Sequence, residues 1–139
     1  KNKELNIRNP LATRPWQHVL EPLSGYLRLA EALATELSPP CEAFNFGPHL
    51  ESNRPVLQLV KTILCHWPGQ WLDQSDPSAP HEAGLLHLQI DKAQHQLGWS
   101  PRWDYETTIE RTVSWYRSLN EGAGALESCL ADLEAYQSE

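Results

Sequence analysis

Residues 14–27 read Arg-Pro-Trp-Gln-His-Val-Leu-Glu-Pro-Leu-Ser-Gly-Tyr-Leu. This stretch places a cation, an indole, an amide and an imidazole within five residues, directly before a run of apolar residues at helical spacing. Pro22 suits the first turn of that helix, because its missing N–H removes no hydrogen bond there. We expect the stretch to form the wall of a pocket, with donors for an anionic or polar ligand and the Trp16 ring for a flat group.

Arg14 is the strongest candidate for ligand binding in this stretch. Its guanidinium is always charged and can hold a diphosphate through two parallel hydrogen bonds. The alternative is a surface arginine that pairs with one of the 18 carboxylates of the chain. For His18 two interpretations stay open, a ligand contact and a structural hydrogen bond near the start of the helix.

Length and charge set the broad class of protein. The chain has 139 residues, is 40% hydrophobic and carries a net charge of -7, which argues against a nucleic-acid or anionic-membrane surface. It contains no apolar run near the roughly 20 residues of a membrane span and no visible signal peptide. The three cysteines are far apart and are interpreted as reduced thiols rather than metal ligands or disulfides. We therefore expect one cytoplasmic domain that binds neither nucleic acid, membrane nor metal.

Apolar spacing predicts five helices. The first carries one apolar face and ends before Pro39, the second begins near Pro55, the third ends at Gly98 and the fourth is capped by Asp104. The expected apolar face of the first helix is Leu23, Tyr26, Leu27, Ala30, Leu33, Ala34 and Leu37, and that of the last helix is Leu126, Leu130 and Leu133. Short strands are predicted at residues 5–8, 43–47, 70–73 and 85–88. This helix-rich α/β pattern, with strands too separated for a large sheet, is typical of a lobe that leans on another.

Two motifs of nucleotide-dependent oxidoreductases are missing. The chain has seven glycines but no Gly-x-Gly-x-x-Gly, and none of its four tyrosines is followed by lysine four residues later. It also contains no methionine, even at position 1. The simplest interpretation is a C-terminal piece of a longer protein.

The motifs that are present resemble one family. Arg14, His18, Val19 and Glu21 fit the pattern Arg-x-x-x-His-Val-x-Asp-Leu, and residues 45–48 read Asn-Phe-Gly-Pro. Residues 81–83 read His-Glu-Ala, and residues 97–101 read Leu-Gly-Trp-Ser-Pro, with Gln89 where the family has a helix-capping Asp. Together these motifs resemble the CDP-glucose 4,6-dehydratases, NAD-dependent sugar-nucleotide enzymes of the extended short-chain dehydrogenase/reductase group.

The resemblance implies a fold and a reaction. The fold is the C-terminal substrate-binding lobe of an extended short-chain reductase without the Gly-rich part of the Rossmann domain, so that residues 1–139 form a single sugar-nucleotide-binding region. The whole enzyme would be a homo-oligomeric lyase that converts CDP-glucose to CDP-4-keto-6-deoxyglucose for deoxysugar and lipopolysaccharide synthesis. Its NAD and its Tyr/Lys pair would belong to the absent N-terminal domain, and this chain alone would be inactive.

The resemblance also implies a set of substrate-binding residues and no catalytic, cofactor-binding or metal-binding ones. The set is Arg14, Trp16, His18, His81 and Glu82. A carboxylate such as that of Glu82 at a loop edge can accept both hydroxyls of a ribose, whereas the alternative for His81 and Glu82 is a pair of solvated loop residues. For His18 and Glu21, the resemblance favours a scaffold role over catalysis.

Two further functions stay open at this point. The chain could be a lobe of a UDP- or dTDP-sugar epimerase or dehydratase, which nucleotide preference would distinguish. It could also be a non-catalytic interaction module derived from such a lobe.

Overall fold

The computed structural model describes residues 4–35, 42–76, 78 and 84–138. In this part of the chain, two small sheets lie among five helices. Strand β1 (Leu5–Ile7) pairs in parallel with β4 (Trp71–Asp73), while β2 (Thr13–Pro15) pairs antiparallel with β3 (Asn53–Pro55). The sequence predicted β1 and β4, but not β2 and β3, whose prolines obscure any strand pattern.

The helices follow their expected order. They are α1 (Leu20–Ala34), α2 (Val56–His66), α3 (Asp91–Leu97), α4 (Tyr105–Asn120) and α5 (Ala125–Gln137), with a single 3-10 turn at Leu50–Ser52. The Asp104 carboxylate accepts the Thr107 N–H at 2.8 Å and caps α4 as predicted. Gly98 ends α3 with φ 61°, a left-handed conformation that favours glycine. None of the described helices is both long and apolar enough to span a membrane.

Two of the predicted strands do not form. Residues 43–47 run without strand structure, and residues 85–88 contribute only one bridge, from Leu85 to Thr13. A segment whose side chains alternate between two faces forms a strand only where a neighbouring strand supplies hydrogen bonds. Here Phe44 and Phe46 instead stack 6.4 Å apart and turn toward a helical core.

The interior consists of two apolar clusters. The first surrounds Trp99 and joins α1 to α3, and the second lies where α2 packs on α4. The buried members of the first cluster are Phe46, Ile90, Ala93, Leu97 and Trp99, and those of the second are Tyr105, Ile109 and Val113. Trp16, which precedes α1, packs against the second cluster.

Helices α1 and α5 bury the opposite face from the one their apolar spacing predicts. Helix α1 buries Glu21 and Gly25, whereas Leu23, Leu27 and Leu33 are 45%, 73% and 56% exposed. Helix α5 buries Asp132 and Tyr136, and its three leucines at 126, 130 and 133 are exposed. The expectation that these apolar faces cover the core of this chain is therefore wrong. The cause is a buried polar network that occupies the inner face of both helices.

Candidate functional site

The antiparallel ladder of β2 and β3 places two arginines side by side. Arg14 is the register partner of Arg54, between the pairs Thr13–Pro55 and Pro15–Asn53. Directly opposed residues of an antiparallel pair lie on the same face, with Cβ atoms about 4.5–5.5 Å apart. Because like charges in this position repel each other, the pair is suited to an anion that contacts both guanidinium groups.

Arg54 has an unsatisfied donor. Its Nε is buried and donates no hydrogen bond within the described residues, and its Cζ lies 6.0 Å from the centre of the Tyr105 ring. A buried donor without an acceptor costs about 1–3 kcal/mol. Arg14 is half-buried, and its Nη1 donates to the Thr13 carbonyl at 2.9 Å. Arg54 was not predicted as a site residue from the sequence, although Arg-Pro occurs at 14–15 and again at 54–55.

Trp16 fixes the position of the strand that carries Arg54. Its indole Nε1 donates to the Arg54 carbonyl at 2.9 Å, and its ring packs against the second cluster. These contacts hold β3 at a fixed distance from the start of α1. The prediction that the Trp16 ring also contacts substrate stays a prediction.

The other edge of β2 receives the chain that follows residues 81–83. The Thr13 N–H donates to the Gly84 carbonyl at 2.8 Å, and Leu85 forms a parallel bridge with Thr13. His81 and Glu82 themselves lie outside the described residues. Gly84, the first described residue after them, is hydrogen-bonded to Thr13, the neighbour of Arg14.

A polar cavity of about 380 Å³ adjoins β3. Asn53 of β3 lines it, together with His49, Glu51, His87 and Asp91. This volume lies within the range of about 300–1,000 Å³ that is usual for small-molecule sites. Neither Arg14 nor Arg54 lines this cavity, so it is a separate polar space next to β3.

His18 is buried at the start of α1. Its Nδ1 accepts the Leu20 N–H at 3.4 Å, its Nε2 lies 3.7 Å from Asp132 Oδ2, and its ring meets the edge of Trp103 at 4.7 Å. Burial lowers the pKa of His18, an effect that Asp132 and then Glu21 partly oppose. The hydrogen bond near the helix start is the structural one that the sequence left open. A substrate contact from His18 stays a prediction.

Glu21 is the centre of the buried polar network. Its carboxylate accepts the Trp103 N–H at 2.8 Å, the Arg102 N–H at 3.1–3.2 Å and the Tyr136 hydroxyl at 2.8 Å. Burial is the main cause that raises the pKa of Tyr136 to about 12, so this hydroxyl remains a donor at neutral pH. The network ties α1 to α5 and to the segment after Trp99, which is the scaffold role expected for Glu21.

The comparisons with known proteins concern the whole sequence and the fold. No protein-family model matches the chain. It is 40% identical to CDP-glucose 4,6-dehydratase of Salmonella typhimurium over 139 residues, which cover 99% of this chain and 38% of that protein. It is also 30% identical over 97 residues to dTDP-D-glucose 4,6-dehydratase of Mus musculus, covering 64% of this chain and 27% of that protein.

Solved structures show the same fold at low sequence identity. UDP-glucose-4-epimerase from Stenotrophomonas maltophila, solved with bound NAD and formylated UDP-arabinopyranose, aligns with TM-score 0.70 and 17% identity over 86% of this chain and 37% of that one. dTDP-glucose 4,6-dehydratase from Bacillus anthracis, in complex with NAD, aligns with TM-score 0.67 and 18% identity over 86% of this chain and 36% of that one.

These findings confirm the resemblance and the fold class. The chain spans well under half the length of each relative that it matches. It has the helix-rich α/β fold of the corresponding part of the extended short-chain epimerases and dehydratases. Along nearly its entire length, the chain is similar to CDP-glucose 4,6-dehydratase and related to the sugar-nucleotide dehydratases.

Proposed function

We propose that this chain is the sugar-nucleotide-binding lobe of a CDP-glucose 4,6-dehydratase, a cytoplasmic homo-oligomer that converts CDP-glucose to CDP-4-keto-6-deoxyglucose. The observation that carries the proposal is the pairing of Arg14 with Arg54 across β2 and β3. The 40% identity to a CDP-glucose 4,6-dehydratase supports the choice of nucleotide. The lobe alone is inactive in this proposal.

The arginine pair would bind the diphosphate. Two guanidinium groups on one face can each offer parallel N–H donors to phosphate oxygens, and a diphosphate also removes their mutual repulsion. The buried Arg54 Nε would gain the acceptor that it lacks among the described residues. The polar cavity beside Asn53 would take one end of the ligand.

Glu82 and His81 would complete this site from the loop that precedes Gly84. The hydrogen bond from Thr13 to Gly84 supports this, because it fixes the end of that loop at the edge of β2. A carboxylate there could accept ribose hydroxyls, as the resemblance implies. His18, with its ring held between Asp132 and Trp103, would contact the substrate near Trp16, as the resemblance implies.

NAD does not fit the residues described here. The sheets of this part of the chain have two strands each, and no glycine-rich turn joins a strand to a helix within it. The NAD-bound relatives are matched over only 36–37% of their length. In this proposal the cofactor and the proton-transferring groups belong to a second lobe, and the residues of this chain bind and orient the substrate.

The exposed face of α1 supports a missing second lobe. Val19, Leu23, Tyr26, Leu27 and Leu33 are between 45% and 73% exposed. These positions follow helical spacing, so they form one continuous apolar surface. In this proposal the surface packs against the lobe that holds NAD. The matched relative is more than twice as long as this chain, so it has room for such a lobe.

A titration of the chain with CDP, UDP and dTDP, followed by tryptophan fluorescence, tests the nucleotide preference. We expect a saturable response that is strongest for CDP. An equal response to UDP or dTDP would favour a UDP- or dTDP-sugar enzyme instead. No saturable response to any of the three nucleotides would contradict a diphosphate site on this chain.

A further inference from the structure

A cavity of about 480 Å³ lies where the start of α1 meets α4 and α5. Its walls are apolar and aromatic, formed by Val19, Leu20, Trp115 and Tyr116. Neither Arg14 nor Arg54 lines it, so it is separate from the diphosphate site proposed above. Its volume is that of a usual small-molecule site, about 300–1,000 Å³.

Three hydrogen-bond donors around this cavity are already used. The Thr112 hydroxyl donates to the Thr108 carbonyl at 2.7 Å, and the Gln17 Nε2 donates to the Phe46 carbonyl at 3.1 Å. The Trp115 indole N–H donates to Cys129 Sγ at 3.4 Å. Acceptors on the cavity wall remain for a ligand.

The strongest of these acceptors is the Asp132 carboxylate. It lines the cavity, and its side chain is 12% exposed. Its charged neighbours are His18 Nε2 at 3.7 Å and Arg111 Nη1 at 4.0 Å, both beyond hydrogen-bond length. Arg111 does not line the cavity. A ligand would therefore meet a carboxylate that has room for a direct hydrogen bond.

The electrostatic field at this point favours a cation. His18 Nδ1 accepts the Leu20 N–H, so the ring is the neutral tautomer with its proton on Nε2. Burial lowers the pKa of His18, which keeps the ring neutral at pH 7. The single positive charge of Arg111 is balanced by Asp132, and the buried Glu21 adds a second negative charge close behind His18. An anionic ligand would be repelled here.

We propose that this cavity binds a small organic cation, an ammonium or guanidinium that carries an apolar or aromatic group. The cation donates to Asp132. The apolar group lies against Val19 and Trp115, where the aromatic face also attracts a cation. Neither arginine of the proposed diphosphate site lines this cavity, although His18 does, and the proposal does not depend on the proposed function.

Cys129 provides a reporter for this cavity. Its thiol is free, is exposed and lines the cavity, while Cys65 on α2 is also free and exposed but lies elsewhere. We would measure the alkylation of each cysteine by neutral iodoacetamide, peptide by peptide, using mass spectrometry. Cys65 then serves as an internal reference within the same molecule.

We expect 2-phenylethylamine to slow the alkylation of Cys129 by about tenfold at saturation, while Cys65 is unaffected. The anion 3-phenylpropionate has a similar shape, and we expect it to protect neither cysteine. A tenfold protection requires a ligand charge that is opposite to that of Asp132 and close to it. Equal protection by both compounds, or none by the amine, would overturn the proposal. This measurement needs no variant, so it does not depend on how well a substituted chain folds.

A charge-neutral variant tests the role of the carboxylate. In Asp132→Asn we expect the protection by 2-phenylethylamine to be lost, whereas in the matched control Glu127→Gln, on the same helix, it persists. Glu127 does not line this cavity. Retained protection in a folded Asp132→Asn chain would overturn the assignment of Asp132.

Discussion

At the scale of single residues, the site depends on a contact between residues 40 positions apart. Arg14 was recognisable in the sequence because it stands in a dense group of polar and aromatic side chains. Arg54 was not, because its importance comes only from its register with Arg14 in a ladder of three residues. Strand pairing of this kind is decided by tertiary packing, here by Trp16 against the second cluster, and local propensity carries little signal for it.

The arginine pair leads to a prediction about affinity. Arg14→Ala and Arg54→Ala should each weaken CDP binding by about 1.5–3 kcal/mol, the usual range for hydrogen bonds to charged groups. Isothermal titration with CDP measures this, and cytidine, which has no phosphate, should bind equally to all variants. Arg117→Ala is the matched control, because Arg117 pairs with Glu121 on the exposed face of α4. Unchanged CDP affinity in Arg54→Ala would remove Arg54 from the site.

Glu21 leads to a prediction about stability. Glu21→Ala would leave the Arg102 and Trp103 N–H groups and the Tyr136 hydroxyl without their acceptor. We expect a loss of about 3–5 kcal/mol in the free energy of unfolding, as for other broken buried networks, measured by urea denaturation. The exposed Glu31→Ala should change it by less than about 0.5 kcal/mol. A loss below about 1 kcal/mol for Glu21→Ala would contradict the role of this network.

At the scale of elements, local signals predicted the helices and their ends. Asp104 and Gly98 act through their own backbone neighbourhoods, so their positions were readable. The strands predicted at residues 43–47 and 85–88 failed because alternation does not show whether a partner strand exists. Helix α1 buries the face opposite the one that its apolar spacing predicts. The cause is the Glu21 carboxylate, which accepts hydrogen bonds from three donors inside the molecule.

The cap of α4 leads to a prediction about pH. The backbone hydrogen bond from Thr107 lowers the pKa of Asp104 below the 3.8 that is usual for an aspartate. A lowered folded-state pKa means that the cap stabilises the fold above pH 3.8 and that this contribution is lost as the pH falls through the folded-state pKa. At pH 7, Asp104→Ala should therefore cost about 1 kcal/mol, and the difference from the unsubstituted chain should shrink in acid.

The control for this cap is Asp104→Asn. Asparagine accepts the same hydrogen bond but carries no titrating group. We expect Asp104→Asn to keep most of the stability of the unsubstituted chain at pH 7. The two free energies of unfolding should differ little until the pH falls far enough to protonate Asp104. A cost of Asp104→Ala that is equal at pH 7 and at pH 2 would rule out a contribution from the ionised cap.

At the scale of the whole molecule, the exposed apolar surface distinguishes a lobe from a self-sufficient domain. Monomeric proteins rarely expose apolar patches larger than a few hundred Å². Helix α1 alone presents four large apolar side chains to solvent, from Leu23 to Leu33. The sequence pattern indicated a lobe that leans on another, but the location of its exposed apolar surface on α1 required the structure.

This surface leads to a prediction about association. The chain should bind a hydrophobic dye and self-associate as its concentration rises, as measured by sedimentation velocity. The double change Leu23→Gln with Leu27→Gln should reduce both effects without lowering stability, because both side chains are exposed. The control is the double change Leu126→Gln with Leu130→Gln on α5. These two leucines are exposed to a similar extent, but the apolar face of α5 is narrower than that of α1. A monomeric, dye-silent chain would contradict the presence of an unmet partner surface.

The most direct test of the proposed function is a chimera. These 139 residues would replace the aligned part, 38% of the length, of the Salmonella typhimurium CDP-glucose 4,6-dehydratase, and the conversion of CDP-glucose would be followed by mass spectrometry. We predict a product lighter by one water, formed from CDP-glucose in preference to UDP-glucose, and lost in the Arg54→Ala version. A chimera that unfolds as cooperatively as the natural enzyme but leaves CDP-glucose unchanged would contradict the account.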